Sequence, residues 1–177
     1  MKIGLIRHFK VLNRSRWFLN SDDFKNAMEE YDNADVIPFK VDLKSENWNI
    51  CVSSTMPRAE KTAEFIFNGK IIFNNLFVEV PMSPVKFSSI KLPAIIWHIK
   101  ARYAWYKNDS SQTETRKKTS KRIDAAIEFL NQFANENVLI VTHGFFMRQL
   151  YKRLLNEGFK GKIDEAPKNG KLYILTK

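Results

Sequence analysis

The sequence predicts an α/β fold, a three-layer α/β/α sandwich around a mainly parallel sheet. Three observations lead there. Short apolar runs recur at Ile3–Ile6, Trp48–Ser53, Lys70–Phe73, Asn137–Thr142 and Lys171–Thr176. Helix-like stretches separate most of them, so strand and helix alternate. The runs near residues 3 and 138 stop abruptly at Arg7-His8 and Thr142-His143-Gly144, as buried parallel strands do when they reach an open sheet edge.

The first run, IGLIRHF, starts almost at the N-terminus. Lys10 to Asn20 is then expected to be a polar and aromatic loop carrying Asn13, Arg14, Arg16 and Trp17. Ser21 or Asp22 is expected to cap a helix running to about Tyr31. Residues 33–47 read as irregular, with Pro38 as a breaker. The second run, Trp48–Ser53, leads into Ser53-Ser54-Thr55, and Pro57 in a first turn starts a helix to about Phe67 with Ser54 or Thr55 as its cap. Lys70–Phe73 follows an Asn68-Gly69 turn as a third strand.

Pro81, Pro84 and Pro93 interrupt the next, aromatic-rich stretch, after which Leu92–Tyr106 reads as a helix. Asn108 to Lys118 is polar and linker-like. Gln112–Phe133 is predicted as a long amphipathic helix with Ile123, Ala126, Ile127 and Leu130 on one stripe, and the run Arg116 to Arg122 as its solvated face. VLIVT ends a strand at Thr142, a helix covers Phe145–Asn156, and Lys171–Thr176 is the last strand.

The 177 residues suffice for one domain, 1–177, with a full core and a small insertion. No apolar run is long enough to span a membrane, and Arg7 and His8 cut the N-terminal run too short for a signal peptide. The single cysteine, Cys51, sits in an apolar run and reads as a core residue. A cytoplasmic protein is therefore expected, with no membrane among its partners. The 29 Lys and Arg against 19 Asp and Glu give a net charge of +10, which attracts anions. The lysines are scattered and no recognition motif accompanies them, so nucleic acid is not the expected partner.

The chemistry gathers at strand ends. Parallel strands ending in Arg7-His8 and Thr142-His143 would bring both imidazoles to one sheet edge, where α/β proteins bind ligands. Arg58, in the first turn of its helix, can turn back toward that edge. Guanidinium forks match phosphate oxygens, and a neutral imidazole can attack phosphorus and carry the phosphoryl group. The leaving alkoxide then needs a proton. Between Glu64 and Asp109 the only carboxylate is Glu79, set among Phe77, Val78 and Val80, an apolar surrounding that would favour its protonated form.

These residues carry a family resemblance. The chain resembles the histidine phosphatase superfamily, the phosphoglycerate-mutase-like group. Arg7-His8-Phe9 stands for that family's Arg-His-Gly, SSTMPRAEKTAE for the Ser-rich turn with its second Arg, VLIVTHG for the segment with its second His, and NGKLYIL for its closing turn and strand. The resemblance implies that His8 is the phosphorylated nucleophile, that Arg7, Arg58 and His143 bind the phosphoryl group, and that Glu79 donates the proton. It implies no metal and no organic cofactor. Residues at about 80–110 resemble the variable insertion that lies over the site in this family, where Trp97, His98, Tyr103, Trp105 and Tyr106 would shape the leaving-group pocket. The family often has Asn six positions after the nucleophile. Here that position is Arg14, beside Asn13, and both are expected to contact substrate, as is Gly144.

Two departures stand out. Phe9 replaces Gly, so the turn after His8 must accept a side chain, and Phe77 replaces the Leu usual two positions before the acid. The expected activity is metal-independent hydrolysis of a phosphate monoester through a phosphohistidine on His8. A non-catalytic module that binds a phosphorylated ligand or a protein, and a phosphomutase, are the alternatives on the same fold. The partner is a phosphorylated substrate whose identity the sequence does not specify, and the oligomeric state is equally open.

Overall fold

The first strand, β1 (Lys2–Arg7), is buried on both faces: Ile3 and Leu5 enter one core, and Ile6 enters another on the opposite face. The computed structural model describes residues 1–12, 16–44, 46–86 and 88–177. In chain order the next elements are β2 (Lys10–Val11), β3 (Phe18–Leu19), α1 (Ser21–Asn33), β4 (Val36–Ile37), β5 (Ile50–Ser53), α2 (Pro57–Ile66) and β6 (Ile71–Phe73). A 3-10 turn, Asn75–Phe77, precedes β7 (Leu92–Pro93) and α3 (Ala94–Tyr106). The chain ends with α4 (Arg116–Asn131), β8 (Asn137–Thr142), α5 (Gly144–Asn156) and β9 (Leu172–Thr176).

Five strands form the central sheet in the order β6-β5-β8-β1-β9. All neighbours are parallel except β9, which runs antiparallel to β1 as the edge strand. On one face Ile3, Leu5, Val138 and Ile140 pack against Ile123 and Ile127 of α4 and Phe146 and Leu150 of α5. On the other, Ile6, Cys51, Leu139 and Val141 pack against Ala59 and Ala63 of α2. This is the expected three-layer arrangement with a mainly parallel sheet. Gly4 allows it a close approach: a Cβ there would lie 2.7 Å from the Trp48 ring and 2.9 Å from Leu139.

The differences from the sequence reading are local. The loop of residues 10–20 contributes two short strands: β2 pairs with β4, and β3 pairs with β7. The cap of α1 is Asn20, not Ser21 or Asp22. Its side chain accepts from Asp23 N, and the Asp23 carboxylate accepts from Asn20 N, so two otherwise orphaned donors are satisfied reciprocally. Neither Ser54 nor Thr55 is the N-cap of α2; that residue is Met56, whose N–H is taken by the Ser54 hydroxyl. The helix predicted from Gln112 starts at Arg116, capped by Thr115.

Arg122 also departs from the expected solvated face. It turns inward, pairs with Glu114 at 2.9 Å, and donates to the Leu76 and Val78 carbonyls at 2.8 Å each. It thereby fixes the backbone just before Glu79. The chain between Glu79 and α3 crosses to α1, where Phe24, Leu19 and Trp97 form a small separate core. No helix among the described residues is long and apolar enough to cross a membrane.

Candidate active site

The pairing of β1 with β8 places Arg7 opposite Thr142, so the next residues, His8 and His143, emerge side by side. The His8 N–H donates to the Thr142 carbonyl at 2.9 Å, and the two ring centroids are 5.1 Å apart. Both rings are buried.

His8 is held in one tautomer. Its Nδ1 lies 2.6 Å from the Phe9 carbonyl, which can only accept, so Nδ1 carries the hydrogen and Nε2 keeps its lone pair. Burial, then the positive charge of Arg58, lowers the His8 pKa to about 3; the bond to Phe9 opposes this, and Arg7 adds to the lowering. His8 is thus neutral at pH 7. His143 is likewise held well below the usual imidazole range, first by burial and then by Arg58, His8 and Arg7. Its Nε2 is 2.7 Å from Ser54 Oγ. That oxygen accepts the Met56 N–H, and among the described residues Nε2 is the acceptor in reach of the hydroxyl hydrogen; this donation places the ring hydrogen on Nδ1.

The two arginines are anchored at their far ends. Arg7 donates from Nη1 to the Pro167 carbonyl at 3.0 Å. Arg58, only 1% exposed, donates from Nη1 to Asp32 Oδ1 at 2.9 Å, and its guanidinium lies 5.1 Å from the Tyr31 ring centroid. Burial raises the Asp32 pKa, while Arg58 opposes the rise. Three buried donors around the two imidazoles nevertheless have no protein partner: Arg7 Nε, Arg58 Nε and His143 Nδ1. Buried donors are ordinarily paired, and these three, beside two neutral imidazoles, are free to receive the oxygens of an anion.

Glu79 corrects one expectation. Its surrounding is polar, because the start of α5 packs there and offers free N–H groups. Glu79 Oε1 accepts from Val80 N and Phe146 N at 2.9 Å each, and Oε2 accepts from Phe145 N at 3.1 Å. Its carboxylate therefore ties the insertion to the helix that follows His143. Gly144 begins that helix against Arg7: a Cβ would meet Arg7 Nε and Cζ at 3.2 Å. Phe9 fits the position of the missing glycine because its ring is wholly buried, 4.9 Å from Phe39 and 5.5 Å from Phe65, while its N–H donates to Thr62 Oγ1 at 2.9 Å.

Arg7, His8, Arg58 and His143 are thus brought together, with Glu79 and Gly144 at the adjoining helix start. Asn13 and Arg14 lie outside the described residues. In the insertion, Trp97 and Trp105 are buried core residues and Tyr103 and Tyr106 face outward, while His98 meets the edge of Phe24 at 5.4 Å.

Several supporting residues escaped the sequence reading. Asp32 and Thr62 carry no local signal. Ser54 stood in the noted Ser-rich turn as a helix cap, and Asn169 stood in the closing turn. Asn169 Nδ2 donates to the His8 carbonyl at 2.6 Å, and Gly170, at φ 66°, lets its own N–H reach the Arg7 carbonyl. Among the described residues, no group of three or more His, Cys, Asp or Glu is placed to hold a metal ion.

The fold and site define an α/β protein with a largely buried cluster of two arginines and two histidines at the carboxyl edge of its parallel strands. The chain belongs to the histidine phosphatase superfamily, branch 1, whose profile matches residues 36–176. Arg7 and His8 precede the matched span and join it through the β1–β8 register. Similar solved structures include open reading frame Rv3214 of Mycobacterium tuberculosis, with TM-score 0.59, 15% identity, and coverage of 98% of this chain and 89% of that one. Phosphoserine phosphatase of Entamoeba histolytica, in complex with 3-phosphoglyceric acid, gives the same four values. The alpha-ribazole phosphatase of Shigella flexneri has TM-score 0.55 at 14% identity, covering 98% of this chain and 94% of that one. These likenesses show the fold. A comparison with curated proteins finds no match.

Proposed function

We propose that this chain is a metal-independent phosphatase that hydrolyses a phosphate monoester through a phosphohistidine on His8. The single observation that carries the reading is the set of orphaned buried donors, Arg7 Nε, Arg58 Nε and His143 Nδ1, around a neutral His8 whose Nδ1 is already engaged. Family membership and the phosphatases among the similar structures support it.

In this reading the three donors hold the non-bridging oxygens of the phosphoryl group. The His8 Nε2 lone pair attacks phosphorus; the N–P bond forms as the bond to the ester oxygen breaks. The three donors meet the charge on the transferring group as fixed dipoles in a buried site. For this step Glu79 must first take up a proton as the dianionic phosphoryl group enters beside it; it then gives that proton to the leaving oxygen from Oε2, which accepts only one backbone N–H. Water then attacks phosphorus, its proton passes to Glu79, and the N–P bond breaks to release inorganic phosphate and restore neutral His8. The unit is residues 1–177, with the insertion at about 80–110 as its cover.

The test is hydrolysis of p-nitrophenyl phosphate in the presence of EDTA by the wild type and by His8→Ala. Turnover that survives EDTA and disappears in the variant is expected. A pocket that only binds a phosphorylated ligand would give neither protein any turnover over a broad pH range.

A further inference from the structure

A second feature lies on the outside of the insertion. Helix α3 is apolar on both faces. Trp97, Ala101, Ala104 and Trp105 are buried, yet Ile95 is 61% exposed, Ile99 is 58% exposed, and Tyr103 and Tyr106 also face outward. The exposed set falls at i, i+4, i+8 and i+11, one stripe along a helix roughly 20 Å long. The β3–β7 pairing extends it: Phe18 pairs with Pro93, the Trp17 carbonyl accepts from Ala94 N at 2.9 Å, and the exposed Phe18 and 82% exposed Trp17 adjoin the start of α3. Monomers seldom expose so many large apolar side chains together.

Within the insertion the charge has one sign. Val80 to Asn108 contains no Asp or Glu; Lys86, Lys91, Lys100 and Lys107 are exposed, while Arg102 turns inward to the Val80 carbonyl and the Phe145 ring. Lys107 lies over the Tyr103 ring at 5.9 Å, and Arg116 of α4 over the Tyr106 ring at 4.8 Å. The carboxylates nearest in sequence are Asp22 and Asp23 after Phe18, Asp23 being held in the cap of α1, then Asp109 after Lys107 and Glu79, which is bound to backbone N–H groups; Arg16, beside Trp17, pairs with Glu30. We propose that the outer face of α3, with Trp17 and Phe18, docks in the plane of an anionic phospholipid bilayer. Isoleucines for the acyl boundary, Trp and Tyr for the interface and a lysine rim for the headgroups are the elements of such a surface. A second copy of a chain with net charge +10 would bring a like-charged rim against this one. The absence of a spanning run led the sequence reading to expect no membrane partner, but lying on a bilayer requires no spanning segment.

Trp17 supplies the test, because Trp97 and Trp105 are buried and Trp48 is partly buried. The full chain is mixed with vesicles of phosphatidylcholine alone or with phosphatidylglycerol added. Flotation with the anionic vesicles only, weakened by salt, is expected, with a blue shift of Trp emission that Trp17→Phe removes. The Ile95→Ser/Ile99→Ser double variant lowers vesicle affinity at least tenfold with thermal unfolding unchanged. No flotation, equal flotation with both lipids, or flotation unaffected by the double variant overturns the proposal. So does a dimer in sedimentation equilibrium that the double variant dissociates, since the face then belongs to a second copy.

Discussion

The rings of His8 and His143 stand 5.1 Å apart, tilted by 51°, because parallel neighbouring strands end in register one residue before each. Their surroundings give them opposite hydrogen positions. The Phe9 carbonyl draws the His8 hydrogen to Nδ1 and bares Nε2 as a lone pair. Ser54 occupies His143 Nε2 and leaves Nδ1 as a donor. In the proposed reaction the first ring attacks phosphorus and the second holds its oxygens.

Lowered imidazole pKa values make stability fall with acid. His8 titrates at about 3 when folded against an ordinary 6.5, and His143 and His98 are also lowered, each chiefly by burial. From pH 6.5 toward 3 the unfolded chain binds protons that the folded chain does not, so the contribution is complete above 6.5 and lost as the pH falls through that window. A thermal scan between pH 7 and 4 is expected to show Tm falling by roughly 5 °C or more. His8→Asn should fall less steeply; a slope equal to that of the wild type would contradict the His8 assignment.

Asp32 holds the far end of Arg58. Asp32→Ala removes its charged partner and lets the guanidinium turn away from the cleft. Because Asp32 is partly exposed, the expected stability loss is modest, about 1 kcal/mol. The larger effect is expected in kcat/KM for p-nitrophenyl phosphate, a drop on the order of tenfold or more. Steady-state kinetics beside a denaturation curve separates the two.

Gly144→Ala tests the packing of Arg7. The added Cβ meets Arg7 Nε and Cζ at 3.2 Å, and Arg7 is tethered to Pro167, so the guanidinium must shift by a few tenths of an ångström. The inhibition constant of inorganic phosphate is expected to rise about tenfold, within the hundredfold that a misplacement of 1 Å can produce. Tm should hold or rise slightly, because Ala suits a helix better than Gly.

Glu79 has a structural part and, in the proposed reaction, a chemical one, and leaving groups distinguish them. Glu79→Gln disturbs bonds to Val80, Phe145 and Phe146 whatever the substrate. Loss of proton donation harms esters of alcohols far more than p-nitrophenyl phosphate, by about a hundredfold or more in kcat. Equal loss for both would leave Glu79 as only the cap of α5.

Much of this was legible in the chain because the decisive signals are local. Apolar runs that stop at Arg7-His8 and Thr142-His143 announced both buried strands and both imidazoles, and Pro57 marked the helix that carries Arg58. The supporting contacts were not legible, because they join residues distant in sequence: Asp32 to Arg58, Asn169 to His8, Arg122 to the turn before Glu79. Arg122 looked like part of a surface run until its register on α4 turned it toward the Leu76 and Val78 carbonyls. The polar setting of Glu79 was hidden for the same reason, since its donors lie in Phe145 and Phe146.

The proposed reaction depends on His8 carrying the phosphoryl group. The most direct measurement is rapid-quench mass spectrometry of the enzyme during turnover of p-nitrophenyl phosphate, kept alkaline so that phosphohistidine survives. One phosphoryl group is expected on the peptide containing His8, absent in His8→Ala and more abundant when Glu79→Gln slows hydrolysis. Turnover with no phosphoryl group on His8, or with it on His143, would contradict the account.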